Sequence, residues 1–167
     1  MTKRIFSGLF LAVLISAPAV AADLPSRAPG LWQSTTTVTG PDGKPLANDT
    51  DVVTVSCVDA LDDQKFFTSN QNACTSLTIS GSGSNYSIDG ACNGPGQSVQ
   101  IHETLVYADA KNVMLTAIYN AATGQMTVTS RLQWQGDCLP GMMPGDEGSL
   151  TGGMFNKADN INDTGNQ

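Results

Sequence analysis

Apolar and polar positions alternate along most of the chain between residues 29 and 138. The stretch RLQWQGDC at residues 131–138 is typical, because Leu132, Trp134 and Cys138 alternate with charged and amide residues. A period of two places successive side chains on opposite faces of an extended strand, whereas a helix repeats every 3.6 residues. The pattern therefore predicts strands with one polar and one apolar face.

Seven segments show this alternation, and short turn-forming sequences connect most of them. They are LWQSTTTVTG, TDVVTVSC, the two arms of CTSLTISGSGSNYSIDGAC, SVQIHETLVYAD, NVMLTAIYN and residues 125–138. The sequence DALDDQKFF breaks the alternation after the second strand, and Asp59 can cap a short helix there. Asp62 and Asp63 are expected to lie on the solvated face of that helix.

An antiparallel meander with one apolar face must bury that face. We therefore predict an all-β fold, in which about seven strands form a curled antiparallel meander (a barrel or half-barrel) with one short helix after the second strand. A β-sandwich is the alternative. The expected core face comprises Val53, Val55, Leu77, Ile79, Ile88, Val99, Ile101, Leu105, Val113, Leu115, Val128, Leu132 and Trp134.

The two ends of the chain differ from its patterned middle. Residues 1–22 combine a basic start, an apolar run too short to span a bilayer and small residues. These features predict a secretory signal peptide cleaved after Ala21 or Ala22. Residues 139–167 are rich in Gly, Pro, Asn and Asp without a sustained period, so we expect a disordered tail. Residues 23–138 are expected to form a single β domain in the periplasm, without membrane insertion.

The cysteines predict cross-links within this domain. The mature part contains all four cysteines of the chain, Cys57, Cys74, Cys92 and Cys138. An even number in an exported chain predicts two structural disulfides, because the compartment is oxidising. Three pairings are possible. Cys74 and Cys92 flank one predicted hairpin, which favours their pairing and leaves Cys57 for Cys138.

The favoured hairpin pairing requires a local irregularity. When Leu77 faces Ile88 across the hairpin, Cys92 lies opposite Ala73, one residue away from Cys74. A bulge or bend at the start of the strand would absorb this offset. The other two pairings therefore stay open from the sequence alone.

The charge balance narrows the classes of partner. The full chain has 8 Lys+Arg and 15 Asp+Glu, and loss of Lys3 and Arg4 with the signal peptide leaves a net charge of −9. An acidic excess of this size repels phosphate backbones and anionic lipid head groups. We therefore expect no nucleic acid as a partner.

Several short motifs resemble those of a known family. They are APGLW at residues 28–32, VSCVDALDD, a cysteine pair flanking a hairpin, IHETLVY and the closing GDC at residues 136–138. Over about residues 29–138 the chain resembles bacterial exported proteins classed as domain-of-unknown-function family 3617. Many members carry methionine and proline in the loop after the first strand, where this chain has GPDGKPLAND. The resemblance implies a periplasmic β domain with disulfides, and it implies no activity.

Glu103 is the most informative single residue for function. It lies on the apolar phase of its strand, together with Ile101 and Leu105. A carboxylate that faces a core is costly unless it is paired, and burial raises its pKa. Glu103 could anchor a ligand in a cavity or act as a general acid. Alternatively, it lies at the rim or bonds with the hydroxyl of Tyr86 or Tyr119.

The remaining candidate chemistry is sparse. Trp134, Tyr107 and Tyr86 could line a pocket for an apolar ligand, or they could simply fill the core. His102 is the single histidine and points away from Glu103, so the sequence offers no nucleophile with an oriented base. The cysteine spacing fits no zinc site. We therefore expect no cofactor, no metal site and no enzymatic activity.

These observations predict a non-enzymatic periplasmic β domain that acts as a binding or envelope-accessory protein. Its expected partner is an unknown protein or a small apolar ligand. One alternative is a small-molecule carrier, with an interior cavity lined by Trp134, Tyr107 and Glu103. An enzyme that uses Glu103 is the more distant alternative.

Overall fold

The structure is a computed structural model, and it describes residues 22–68, 74–94 and 97–163 of the 167-residue chain. Its elements are β1 (Gly30–Thr39), β2 (Val52–Val58), α1 (Lys65–Thr68), β3 (Cys74–Ser82), β4 (Asn85–Gly94), β5 (Gln97–Asp109), β6 (Asn112–Ala121), β7 (Gly124–Gly136), β8 (Asp146–Thr151) and β9 (Met154–Asn160). The predicted signal peptide lies outside the described residues, except for Ala22. No helix in the described part is long and apolar enough to cross a membrane.

All strands of the described residues pair in one antiparallel sheet, in the order β3-β4-β5-β6-β7-β1-β2-β8-β9. β3 to β7 follow one another as a meander, and β1 lies between β7 and β2. The predicted all-β antiparallel meander, with one short helix after the second strand, is confirmed. The sheet is not closed, because its edge strands β3 and β9 do not pair with each other in the described part. It is a single sheet rather than the two packed sheets of a β-sandwich.

The prediction of a disordered tail after residue 138 is wrong. β8 and β9 form a hairpin in this segment, and β8 extends the sheet by pairing Glu147 with Ser56 of β2. Gly152 and Gly153 turn between the two strands with positive φ values of 58° and 80°. The glycines that suggested disorder therefore serve a tight turn. The pairing partner lies far earlier in the chain, so no local pattern reveals it.

The main core lies on one face of the sheet, which we call the concave face. Its buried residues are Leu24, Trp32, Val58, Ile88, Leu105, Tyr107, Val113 and Leu132. Because one cluster joins β1, β2 and β4 to β7, the sheet must curl around it. Ile88, Leu105, Val113 and Leu132 of the predicted core are buried there. The other predicted core residues are half-buried, apart from two on β2.

The opposite face of β1 and β2 packs against the chain that follows β7. This second cluster comprises Leu31, Val55, Cys57 and Met142, with Cys138, Leu139 and Phe155 packed against it. The prediction that Val53 and Val55 belong to the main core face is therefore wrong, since Val55 lies in the second cluster and Val53 is 49% exposed. The last four residues of β2 are all buried, so alternation cannot indicate which of its faces is concave.

Two disulfides join the described cysteines in the predicted pairs. Cys57 is bonded to Cys138 with their Cα atoms 5.4 Å apart, and Cys74 is bonded to Cys92 across β3 and β4. The hairpin register differs from the prediction, because Ile79 rather than Leu77 faces Ile88. An irregularity between Cys74 and Ser76 brings Cys74 opposite Cys92. A local irregularity was expected, but the extra residue lies in β3, whereas the predicted register would have required it in β4.

Candidate functional site

The short helix α1 and the segment before it pack against the concave face. The carboxylate of Asp59 accepts hydrogen bonds from the backbone N–H groups of Leu61 and Asp62, both at 2.9 Å. This turn leads into α1, where Phe66 and Phe67 pack against the main core. The aromatic pair divides the concave face into two neighbouring cavities, one on the β3–β6 side and one on the β7–β8 side.

A buried ion pair anchors α1 to the chain that precedes β1. The Nε of Arg27 donates a hydrogen bond to Oδ1 of Asp63 at 2.6 Å, and the Arg27 backbone N–H donates to Oδ2 at 2.7 Å. The guanidinium lies 4.8 Å from the ring centre of Trp32, 5.3 Å from that of Phe66 and 4.6 Å from that of Phe67. Nη2 of Arg27 is buried and has no hydrogen-bond partner among the described residues.

This ion pair corrects one prediction from the sequence. Asp63 was expected on a solvated face, but it is only 4% exposed and Arg27 only 2%. Asp62 is half-buried and accepts hydrogen bonds from Nζ of Lys65 at 2.7 Å and from Nδ2 of Asn162 at 2.8 Å, and these contacts lower its pKa. The prediction was wrong because the partner of Asp63 lies 36 residues earlier, in a proline-containing segment without a strand or helix pattern.

The first cavity, which we call the Glu103 cleft, lies between α1 and strands β3 to β6. Its volume is about 200 Å³. Its lining residues are Phe66, Phe67, Thr68, Cys74, Leu77, Ile88, Ile101, Glu103, Leu115 and Tyr119. Most of these side chains are apolar and half-buried, so the cleft opens to solvent on one side. Glu103 is the single carboxylate among the described residues that line it.

The environment of Glu103 favours its neutral form. Burial raises the pKa of its carboxyl to about 7. None of the described residues forms a hydrogen bond or an ion pair with this carboxyl group. Burial raises the pKa of Tyr119 as well, and the charge of the nearby Glu103 adds to that effect. Glu103 is half-buried and lines the open cleft, and the alternative of a hydrogen bond with Tyr86 or Tyr119 is not found among the described residues.

The second cavity, which we call the hydroxyl chamber, lies on the other side of the aromatic pair and has a volume of about 160 Å³. Its lining residues are Arg27, Ser34, Thr36, Thr54, Ser56, Phe66, Phe67, Leu115, Ser130, Leu132 and Glu147. Burial and the neighbouring Asp159 raise the pKa of Glu147, whereas the charge of Arg27 opposes this shift. The two cavities share Phe66, Phe67 and Leu115.

Three aromatic residues expected near a ligand lie elsewhere in the core. Nε1 of Trp134 donates a hydrogen bond to the carbonyl of Pro29 at 2.9 Å. Tyr107 and Tyr86 pack edge to face with their ring centres 6.0 Å apart. None of the three lines the Glu103 cleft or the hydroxyl chamber, so the predicted combination of Trp134, Tyr107 and Glu103 in one cavity is wrong.

Sequence reasoning missed most of the hydroxyl chamber. Ser34 and Thr36 of β1 and Ser130 of β7 occupy alternate positions of their strands and so lie on one face of the sheet. The alternation alone did not indicate that a cavity lies on that face. Glu147 lies in the segment that was expected to be disordered. The described residues contain no group of three or more His, Cys, Asp or Glu that could hold a metal ion.

One comparison identifies related sequences. A family model described as "Protein of unknown function (DUF3617)" matches residues 27–138. The match includes Arg27, Asp63 and Glu103, and it ends before β8. No curated protein and no solved structure matches the chain.

Proposed function

Since this chain belongs to the DUF3617 family of proteins of unknown function, we propose its role from the chemistry of the concave face. It is a periplasmic binding protein that carries a small, largely apolar molecule in the Glu103 cleft. The two disulfides support an oxidising compartment. The predicted signal peptide supports export to the periplasm.

The unpaired Glu103 carboxyl in a mostly apolar cleft carries this proposal. Partial burial makes the ionised carboxylate of Glu103 costly, and a ligand that accepts a hydrogen bond from the neutral carboxyl stabilises the favoured form. With a pKa of about 7, Glu103 is protonated at mildly acid pH and donates a hydrogen bond. The ligand is therefore expected to combine an apolar body with an oxygen acceptor such as a carbonyl.

The size of the cleft limits the ligand to a small molecule. An apolar protein cavity of roughly 150 Å³ holds one benzene molecule, and the Glu103 cleft has about 200 Å³. Phe66, Leu77 and Leu115 offer it apolar contacts. Because the cleft is open on one side, a polar part of the bound ligand can extend out of it.

A carrier role fits the site better than catalysis. His102 lies on the face of β5 opposite Glu103, and its Nδ1 is 2.7 Å from Oδ1 of Asp89. The cysteines of the described residues are bonded in disulfides. The hydroxyls of Tyr119 and Thr68 share the cleft with Glu103, but burial raises the pKa of Tyr119 and the Thr68 hydroxyl donates a hydrogen bond to a backbone carbonyl. Neither is therefore an activated nucleophile.

The binding of 2-hexanone, a small ketone, tests the proposal by calorimetric titration at several pH values. The affinity is expected to fall by up to about tenfold per pH unit above 7, because only protonated Glu103 donates to the carbonyl. Glu103→Gln retains a donor at every pH and is expected to bind with little pH dependence. His102→Gln, changed on the opposite face, is the matched control and should keep the wild-type pH profile.

Two results would overturn the carrier proposal. One is the absence of 2-hexanone binding at every pH in a protein with both disulfides intact. The other is binding with a pH profile that Glu103→Gln leaves unchanged, because the donor would then lie elsewhere. Turnover of the ketone that is lost in Glu103→Gln would instead favour an enzyme.

A further inference from the structure

The sheet register gathers hydroxyl groups on one part of the concave face. Ser34 of β1 faces Thr54 of β2, and Thr36 of β1 faces Ser130 of β7. The hydroxyls of Thr36 and Ser130 are 2.7 Å apart and share one hydrogen bond. In the same region, Ser56 of β2 faces Glu147 of β8. Hydroxyls therefore cover three neighbouring strands of a face whose other strands carry mainly apolar groups.

Arg27 adds a fixed and unsatisfied donor to this region. Its Nε and its backbone N–H are both bonded to Asp63, and its guanidinium lies against three aromatic rings. Its side chain, which lines the chamber, is only 1% exposed, yet Nη2 has no partner among the described residues. A buried guanidinium donor needs an acceptor. Because Nη2 itself is buried, a ligand oxygen in the chamber reaches it only after a small shift of the side chains around it.

The charges around the chamber favour a neutral partner. Asp63 already balances the charge of Arg27, so little positive potential remains for an anion. Glu147 and the nearby Asp159 would repel an anion further. A cation would meet the Arg27 guanidinium. Hydroxyl groups both donate and accept hydrogen bonds, and they complement serines, threonines, Glu147 and Nη2 of Arg27 without a net charge.

From this geometry we infer that the hydroxyl chamber binds a neutral, hydroxyl-rich head group, such as a single sugar ring or a cyclic polyol. Its volume of about 160 Å³ fits one six-membered ring. The chamber shares Phe66, Phe67 and Leu115 with the Glu103 cleft. Resting on the proposed carrier function, the inference thus names the ligand class: a small amphiphile with a polyhydroxylated head in the chamber and a short apolar chain in the cleft, where an oxygen atom of the chain accepts the hydrogen bond of Glu103.

Four probes with the same six-carbon chain separate the head-group classes: hexyl β-glucoside, 1-hexanol, hexanoate and hexylamine. Calorimetric titration of the disulfide-bonded protein is expected to rank hexyl glucoside first, about tenfold tighter than 1-hexanol. The Ser34→Ala/Thr54→Val double variant removes two hydroxyls. It is expected to weaken glucoside binding by about tenfold, the loss of two ordinary hydrogen bonds, and to leave 1-hexanol unchanged. An unchanged thermal midpoint confirms that the variant is folded.

The outcomes distinguish the head-group inference from the carrier proposal. If 1-hexanol binds and the glucoside binds no tighter, the chamber assignment is overturned and the carrier stands. Tighter binding of hexanoate or hexylamine than of the glucoside overturns the neutral head group. If the glucoside binds with the expected sensitivity to the double variant but 1-hexanol does not bind, the chamber stands and the apolar cleft fails. If no probe binds, both are wrong.

Discussion

The two halves of the concave face are built on the same alternating strands but differ in chemistry. In the apolar half, formed by β3 to β6, the inward positions carry residues such as Leu77, Ile88 and Leu105. In the hydroxyl half, formed by β1, β2, β7 and β8, they carry residues such as Ser34 and Thr54. Both halves contribute buried residues to the main core, and those of the hydroxyl half are Trp32, Val58 and Leu132. The apolar half carries few other groups. The hydroxyl half additionally leaves hydrogen-bonding groups available in the chamber.

The outer face explains how the hydroxyl half can remain polar. Behind β1 and β2, Leu31, Val55 and Met142 form the second cluster, and the Cys57–Cys138 disulfide lies within it. These strands therefore bury apolar surface on their outer side. In the apolar half, by contrast, Val106 and Met114 on the outer side are partly exposed. Where the outer face of a curled sheet buries apolar surface, part of its inner face can therefore remain polar and bind a ligand.

The largest expected effect concerns the Arg27–Asp63 ion pair, which anchors α1 to the chain before β1. Asp63→Ala leaves the guanidinium of Arg27 buried without its carboxylate, and such a loss costs about 4 kcal/mol of the free energy of unfolding. Urea denaturation measures this change. The control is Asp62→Ala, which removes hydrogen bonds from Lys65 and Asn162 and is expected to cost about 1 kcal/mol, because both partners are exposed to solvent. Equal losses in both variants would contradict the anchoring role.

Two side-chain truncations, one in each half, test whether the apolar residues contribute more to stability than the hydroxyl residues. Leu105 is fully buried in the apolar half, and Leu105→Ala is expected to cost about 3 kcal/mol because it leaves a cavity. Ser34→Ala in the hydroxyl half is expected to cost less than about 1 kcal/mol. Both losses are measured by denaturant unfolding. If Ser34→Ala destabilises the protein as much as Leu105→Ala, the hydroxyl half is structural and the comparison fails.

The pH dependence of stability gives a smaller and more specific effect. Because the pKa of Glu103 is raised from 4.5 to about 7 in the folded protein, the folded state retains a proton that the unfolded chain releases. Stability should therefore fall as pH rises from 4.5 to 7 and level off above that range. The loss from Glu103 is about 2 kcal/mol, after allowance for the partial exposure of the carboxylate.

Glu103→Gln cannot titrate and should lack this contribution, so its stability relative to wild type should increase across the same pH range. Denaturation series at pH 4.5, 6 and 8 would reveal the difference. A constant difference between the two proteins would show that Glu103 titrates as it does in the unfolded chain. Glu147→Gln should give a change of the same sign, because the pKa of Glu147 is also raised.

Features that depend on neighbouring residues were predicted from the sequence more accurately than contacts between segments far apart in the chain. Alternation predicted the strands and placed Glu103 on an inward face, and the hairpin position of Cys74 and Cys92 favoured their bond. The Arg27–Asp63 pair was missed because it joins two segments without a strand pattern. Which face of β2 is concave was also missed, since that choice depends on β1, β7 and the late strand β8.

The most direct test of the two-part concave face is to locate a bound probe by nuclear magnetic resonance. With hexyl β-glucoside, the two-part face predicts contacts from the alkyl protons to the methyl groups of Ile88 and Leu115. It also predicts contacts from the sugar protons to the methyl groups of Thr36 and Thr54. Contacts on the outer face, for example with Met114, or alkyl protons beside Thr54 would contradict the division into an apolar and a hydroxyl half.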